Sequence, residues 1–569
     1  NVIGTDYVDT IRDSKVDNVI TTGQGEDYIY VTTGNDTIDG GEQDDTIDFS
    51  LNTQAIKVDL SNEENTQDTN IGIKTITDIE NVIGTGYNDY IVGNEENNKI
   101  DGKEGTDTID YSYSSKAVTL NISKMDFLNK DFEILEYKGK TSIKEDEVKG
   151  IENVIGSEFN DRIVTSKEDN KIETGKGDDL IISSRGNDTI DGGVGNDTVS
   201  YEKNENAILV EDYESNNTVV DKNGVLKDKL FNVENITGSV LNDKITASKI
   251  VAEDNIIDGG AGDDIIDGGA GDDKLYGSEG DDHISDTIGK NYFNGGAGSD
   301  TIDYSKMEKG IDFRMNPQEE TSLVKIKEID GVLTVKDTVK DVENIIGTNY
   351  DDNIYTNEGN NKIETGKGDD IISEGFGSNV VDGGEGSDTL DYSQIEGNIT
   401  IDISKTINQT IYDDGTNSIQ TKYTNVENVI GTNYDDNITG NSSINEIKSG
   451  LGDDIIDGKE GDNRLFGQEG SDIINAGDGK NYVEDKFGNN TITLGHGGNE
   501  VRVEGGDNKI TTGDGEDNIY LKNNTNEVST GAGNDTVDGG SGTDIIEDGE
   551  GDDIVDGKEG NDMFIISDG

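Results

Sequence analysis

The sequence predicts an all-β fold: a right-handed parallel β-roll, a β-helix-like solenoid, interrupted by β-hairpin excursions. Three observations predict it. A nine-residue pattern recurs along the chain, glycines cluster at fixed places within it, and one column of it is always a large apolar residue. Residues 259–285 show the pattern most plainly, as GGAGDDIID, GGAGDDKLY and GSEGDDHIS. Position 6 is Asp264, Asp273 and Asp282, and position 8 is Ile266, Leu275 and Ile284. Self-similarity at a short fixed period marks a stacked architecture, in which each repeat completes its neighbour's core.

Carried along the chain, the register gives forty copies in six arrays. Copies start at 4, 13, 22, 31 and 40, then at 84, 93 and 102, then at 156, 165, 174, 183 and 192. A fourth array has one copy at 238 and, after a three-residue slip, six spanning 250 to 303. Five more span 347 to 391, and fifteen run without interruption from 431 to 565. Position 6 is Asp in 26 copies and Asn in 14, and position 8 is Ile, Val, Leu or Phe in all 40; chance does not hold two such columns over fifteen tandem copies.

Each element follows from these columns. Gly at positions 1, 2 and 4 lets the chain take φ > 0, as a tight six-residue turn demands. Positions 7 to 9 then form a short strand, with position 8 on one face and positions 7 and 9 on the other. Two nonapeptides make one coil, with a strand on each side. Coils stack at about 4.8 Å, so twenty would extend on the order of 100 Å if unbroken. A single proline, Pro317, suits continuous hydrogen-bonded strands.

Charge decides what else is needed. The formal net charge is -77, from 123 acidic and 46 basic residues, and only 30% of residues are hydrophobic. Such a chain repels itself and buries too little apolar surface to fold unaided. It would also be repelled by nucleic acid, which is excluded as a partner. Cations from outside are required. Cysteine is absent, so neither disulfides nor thiolate metal sites are available. No run of about 20 apolar residues offers a membrane span. The chain starts at Asn1 and ends inside a repeat at Asp568-Gly569, as expected of a processed product or a fragment of something larger.

Ca²⁺ is a hard ion that takes six to eight oxygen ligands. One carboxylate per turn, with turn carbonyls, offers such a set. Neighbours on one edge are 18 residues apart, so the expected sites lie between acids at i and i+18. The candidate ligands are Asp9, Asp27, Asp36 and Asp45, then Asp89 and Asp107, then Asp161, Asp179, Asp188 and Asp197. They continue as Asp243, Asp264, Asp273, Asp282 and Asp300, then Asp352, Asp370 and Asp388. The last array supplies Asp436, Asp454, Asp472, Asp517, Asp535, Asp544, Asp553 and Asp562. Uninterrupted Asp stacks predict a calcium-rich edge. The other edge is often Asn, as at Asn18, Asn98, Asn170, Asn361 and Asn445, and is expected to be calcium-poor. A calcium-poor belt is expected at 476–511, where Asn481, Asn490, Asn499 and Asn508 follow one another and can form a hydrogen-bonded ladder. The plain alternative, that Asp and Asn are here only as turn formers, does not explain a period of nine.

The motif GGxGxDxUx, with U a large apolar residue, resembles the RTX repeats of bacterial secreted proteins. The resemblance covers the forty copies and is most specific at 259–285 and 530–565. It implies a calcium-dependent parallel β-roll, export by a one-step (type I) secretion system and extracellular residence. The family's usual C-terminal secretion signal is not visible.

The interruptions mark modules. The first five arrays end on DTIDFS (45–50), DTIDYS (107–112), DTVSYE (197–202), DTIDYS (300–305) and DTLDYS (388–393). Excursions with strand-like runs follow, such as Ile399 to Ile403 and Val324 to Lys327. Each closes on a shared phrase: IENVIGT (79–85), IENVIGS (151–157), VENITGS (233–239), VENIIGT (342–348) or VENVIGT (426–432). The expected modules are 1–83 (roll 4–48), 84–155 (roll 84–110), 156–237 (roll 156–200), 238–346 (roll 238–303), 347–430 (roll 347–391) and 431–569 (roll 431–565). One solenoid with excursions is expected; six separate rolls joined by β linkers is the alternative.

No catalytic motif accompanies the repeats. HExxH and GxSxG are absent, and no helix–loop–helix supports an EF-hand. His283 and His496 lie at outward and turn positions with no partner His or Cys near in sequence, and are expected to be solvated. A carboxylate-pair glycosidase needs two unequal environments, which a repeat makes alike. Tyr111, Tyr304 and Tyr392 are expected to cap the core rather than bind sugar. Position 3 carries no Thr column, against ice binding. The sequence therefore predicts a non-enzymatic, calcium-dependent structural protein of a bacterial cell surface, a surface-layer (S-layer) subunit or an adhesin region. Self-association or cell-surface polysaccharide would be its partner. The alternative is a secretion and folding module of a larger enzyme or toxin.

Overall fold

Positions 7 to 9 form the strands, and the faces alternate along the chain, so each strand pairs with the one 18 residues away. The pairing is parallel and in register: Ile11 lies opposite Ile29, Ile20 opposite Ile38, Ile172 opposite Ile190, Ile456 opposite Ile474, and Ile510 opposite Val528. The computed structural model describes residues 1–62, 66–123, 144–211, 219–221, 227–247, 253–286, 288–315, 321–327, 333–407, 409–413 and 418–567. The chain forms two compact units, Asn1–Gly298 and Ser299–Gly569, built on the same plan. Both are parallel β-rolls. No helix is present among the described residues, and so none long and apolar enough to cross a membrane.

The core is a double file. Position 8 is buried throughout the inner copies, as at Ile29, Ile190, Leu275, Ile363 and Ile510. The sequence reading allowed one inward residue per copy; the roll has two. Position 1 also points inward, where Val31, Leu494, Val503 and Leu521 are buried. The turn swings its first residue back under the strand, which the alternation of a strand alone does not reveal.

Excursions enter the ladder at both ends. Their last strands continue the strand laid down before the excursion: Ile76 lies opposite Ile38, Val148 opposite Ile100, Leu230 opposite Ile190, and Tyr423 opposite Val381. Their first strands underlie the next array: Val58 opposite Ile91, Leu120 opposite Ile163, Val210 opposite Ile245, Phe313 opposite Ile354, and Ile401 opposite Ile438. Antiparallel pairs join the two, as between Ile311–Arg314, Ser322–Lys327 and Leu333–Lys340. The expected strands at Ile399–Ile403 and Val324–Lys327 are observed as Thr400–Asp402 and Ser322–Lys327. Pro317 lies outside the described residues.

The shared closing phrase has a structural reason. The residue before it is left-handed, with φ 50° at Asp78, 59° at Gly150, 50° at Asn232, 47° at Asp341 and 53° at Asn425. That turn brings the phrase's Glu under the last Asp of the preceding array. The Asp45 N–H donates to Glu80 at 2.7 Å, Asp107 to Glu152 at 2.8 Å, Asp197 to Glu234 at 2.8 Å, and Asp300 to Glu343 at 2.9 Å. A glutamate thus continues the ladder where the nonapeptide is interrupted.

Candidate metal centre

Glycines at positions 2 and 4 bend the well-formed turns through φ > 0, as at Gly260 (101°) and Gly262 (113°). In some copies without Gly at position 2, the same conformation is imposed on the residue there, as at Lys103, Ser278, Lys459, Gln468 and Lys558. The bend folds the position-6 carboxylate inward. Its Oδ1 accepts the backbone N–H of the position-6 residue one coil earlier: Asp27 from Asp9 (2.7 Å), Asp45 from Asp27 (2.7 Å), Asp197 from Asp179 (2.8 Å), Asp472 from Asp454 (2.8 Å), and Asp535 from Asp517 (2.9 Å). The 18-residue ladder expected from the sequence is therefore physical.

Oδ2 points beneath the first residue of its own turn. A Cβ added at Gly40, Gly102, Gly192 or Gly383 would lie 2.7, 2.6, 2.7 or 2.6 Å from the Oδ2 of Asp45, Asp107, Asp197 or Asp388. Glycine at position 1 keeps that space open. The Oδ2 atoms of Asp27, Asp45, Asp107, Asp197, Asp264, Asp388, Asp517 and Asp544 are buried without a hydrogen-bond partner among the described residues. Leaving such an oxygen unanswered is costly. Burial pushes the carboxyls of Asp45, Asp197, Asp264 and Asp388 up to about 7, and Asp107 up to about 8, with neighbouring acids adding to the rise.

Two natural variations show what these oxygens attract. In the Asp36 turn, the Lys74 ammonium, fully buried, donates to Thr32 O (3.1 Å), Gly34 O (3.0 Å) and Asp36 Oδ2 (2.5 Å). A positive charge is thus held by the carbonyls of positions 2 and 4 and the carboxylate of position 6. In the Asn turns the side-chain amide answers the same carbonyls. Asn481 Nδ2 donates to Gly477 O and Gly479 O at 3.0 and 3.2 Å, and Asn508 Nδ2 to Gly506 O at 2.8 Å. The Asn ladder expected at 476–511 is present: Asn481 N–H donates to Asn499 Oδ1, and Asn490 N–H to Asn508 Oδ1, both at 3.1 Å. Where position 6 is Asp and no lysine arrives, the hole keeps hard oxygen donors and net negative charge, the donor chemistry that Ca²⁺ takes.

The structure sorts the expected ligands. Asp179, Asp454 and Asp535 sit in the same inward register, with Thr174, Ser449 and Thr530 at position 1 donating to a carbonyl of the next coil at 2.6, 3.1 and 2.6 Å. Asp273, Asp282, Asp300, Asp370 and Asp472 are buried likewise. Asp553 and Asp562, near the end of the last roll, are half-buried. The first Asp of each array differs, because the closing phrase ends in Thr or Ser. Asp9, Asp89, Asp161, Asp243, Asp352 and Asp436 accept the N–H of Thr5, Thr85, Ser157, Ser239, Thr348 and Thr432 on Oδ2. In the last five, Oδ1 takes the hydroxyl of the same residue; in Asp9 the Thr5 hydroxyl also goes to Oδ2. These six carboxylates already serve as turn caps. Asp36 is held by Lys74, and Asp188 accepts from Asn170 N–H (2.9 Å) and Ser183 Oγ (3.3 Å).

Sequence reasoning missed several working residues. Lys74 occupies the position-6 slot of an excursion strand, facing Asp36. In other excursions that slot holds Asp146 or Asp228, which accept the hydroxyls of buried Tyr111 (2.7 Å) and Tyr201 (3.1 Å). Tyr392 likewise donates to buried Glu374 at 2.6 Å. Tyr111, Tyr304 and Tyr392 are buried in the core, as expected, and Tyr111, Tyr201 and Tyr392 tie down an acid as well. Position 5 makes a second ladder in the opposite sense: the Asn35 N–H donates to Asp17, Asp281 to Asp263, and Asp453 to Asp435 at 2.9, 3.0 and 2.9 Å.

The family model for the RTX calcium-binding nonapeptide repeat matches residues 3–51, 77–111, 155–199, 252–305, 342–373, 375–393, 430–492 and 529–564, more than half of the chain. The fold and its acid-lined turns define a repeat protein with calcium as its cofactor. The chain belongs to the RTX calcium-binding nonapeptide-repeat family. No curated protein matches it in sequence.

Proposed function

We propose that this chain is a calcium-stabilised structural protein of a bacterial cell surface, an S-layer subunit or an adhesin region, that folds on meeting calcium after export. The observation that carries the reading is the row of buried position-6 carboxylates, Asp27, Asp45, Asp107, Asp197, Asp264, Asp388, Asp517 and Asp544, whose Oδ2 atoms have no hydrogen-bond partner among the described residues. A protein built around so many unanswered anions needs an environment rich in divalent cations. Millimolar extracellular calcium meets that need, and the low-calcium cytoplasm leaves the chain unfolded for export. The ligands are the open Asp turns, with the Asn belt at 476–511 calcium-poor. Five of the six repeat modules carry excursions that offer lateral surfaces. Calcium bridging acidic neighbours, or cell-surface polysaccharide, supplies the partner. No reaction is assigned to the chain.

Circular dichroism with size-exclusion light scattering tests the reading, with calcium, with chelator, and with Mg²⁺ as control. Calcium alone should convert an expanded coil into a compact β protein that assembles into ordered oligomers. A calcium-folded monomer would favour an adhesin region or the secretion module of a larger protein. A chain fully folded in chelator at neutral pH would overturn the calcium requirement itself.

A further inference from the structure

Position 1 points into the roll beside the cation hole, and in most copies it is Gly, Thr or Ser. Five copies carry an acid there: Asp13, Asp286, Glu374, Asp485 and Asp548. In four of the five, position 6 of the same copy is Asn rather than Asp: Asn18, Asn291, Asn379 and Asn490. The charge given up at position 6 returns at position 1.

At Asp485 the structure shows where that charge goes. Asp485 stacks one coil after Gly467, and its side chain is fully buried, as is that of Asp472. A Cβ on Gly467 would lie 2.5 Å from Asp472 Oδ2 and closer still to Asp485 Oδ2, so both oxygens face one small space that the glycine leaves open. Asp472 Oδ2 and both oxygens of Asp485 have no hydrogen bond of ordinary geometry among the described residues, although the Asn490 side chain and the Lys486 N–H lie near enough to Asp485 to favour its charged form. Asn490 cannot complete the site in the ordinary way. Its Oδ1 is spent on the Asp472 N–H (2.8 Å) and its amide on Gly488 O (3.4 Å). The same arrangement recurs in the other unit. There Asp286, in a copy with Asn291 at position 6, converges with Asp273 over Gly268; a Cβ there would lie 2.8 Å from Asp273 Oδ2 and nearer to Asp286 Oδ2.

We infer that Asp485 and Asp472 together bind a divalent cation, with calcium the matching class. Two carboxylates balance its charge, and both are oxygen donors in a space closed to solvent. The ordinary site draws its carboxylates from position 6 alone; here one comes from position 1, reaching the ion from inside the roll. Glu374 marks the contrast. It is also buried at position 1 of an Asn copy, but Thr421, Tyr392 and Tyr423 donate to it at 2.6, 2.6 and 3.0 Å, so it needs no ion. The inference rests on the calcium reading of the chain and sharpens it: the calcium-poor belt at 476–511 holds one ion at its edge.

Long-wavelength anomalous scattering from crystals of the calcium-loaded full chain tests it. A calcium peak should lie between the carboxylates of Asp472 and Asp485, and disappear in Asp485→Asn while the peaks at the Asp388 and Asp517 turns remain. In the double variant Asp485→Gly, Asn490→Asp, a peak should return at the Asn490 turn. If the Asp388 and Asp517 turns are filled but nothing lies between Asp472 and Asp485, the two acids share a proton instead and the inference is overturned alone. Calcium at none of these turns would overturn it together with the proposed function. The wild-type map decides even if a variant fails to fold.

Discussion

Lys74 shows at the scale of one residue what the turns require. Its ammonium is the only charge that the Asp36 carboxylate and two turn carbonyls meet among their described hydrogen bonds. Lys74→Met keeps the bulk and removes the charge. It should destabilise the calcium-loaded chain by about 3–5 kcal/mol, the cost of stranding a buried charge, seen as a lower thermal midpoint. Adding Asp36→Asn should recover much of the loss, since the amide can donate to the carbonyls as Asn481 does. Nothing in the sequence around Lys74 distinguishes it from a solvated lysine. Its slot is defined by an excursion whose return register only the folded chain reveals, which is why Asp36 looked like every other acid in its column.

At the scale of elements, the nonapeptide was legible because one residue type per column does one job. The apolar column and the acid column, Ile266 with Asp264 for example, fix strand, turn and spacing without any knowledge of the fold. The closing phrase was legible as a pattern but not as a function. Its Glu acts across 35 to 45 residues of excursion, as Glu80 does on Asp45 and Glu152 on Asp107. Its Thr or Ser caps the first Asp of the next array, as Thr85 does Asp89. Glu80→Ala leaves the Asp45 N–H unanswered and should cost about 1–3 kcal/mol, while Glu80→Gln keeps an acceptor and should cost less than half as much. Denaturant midpoints and amide exchange at Asp45 would measure both. Equal losses in the two variants would show that the charge, not the hydrogen bond, matters.

The whole molecule carries the acid ladders as a dependence on pH. Folded, Asp45, Asp197, Asp264 and Asp388 are held at about 7 and Asp107 at about 8, against about 3.9 in an unfolded chain. Without calcium the folded state therefore binds more protons than the unfolded one. That contribution to stability is complete below about pH 3.9 and is lost as the pH rises through 7 to 8. In chelator the β signal should be strongest in acid and fade on titration to alkaline pH, whereas saturating calcium should preserve it there. A chelated chain that gains structure as the pH rises would contradict the buried, unanswered carboxylates. The Asn belt adds a consequence of its own. A stack whose interior rungs answer their own oxygens carries a seed. As ions are withdrawn, melting that starts in the acid coils meets rungs that do not depend on them. When ions return, coils grow from a standing edge and are spared the loop-closure entropy of a fresh start. Recovery is then templated growth at two fronts, paced by the arrival of ions rather than by the chance of a first contact.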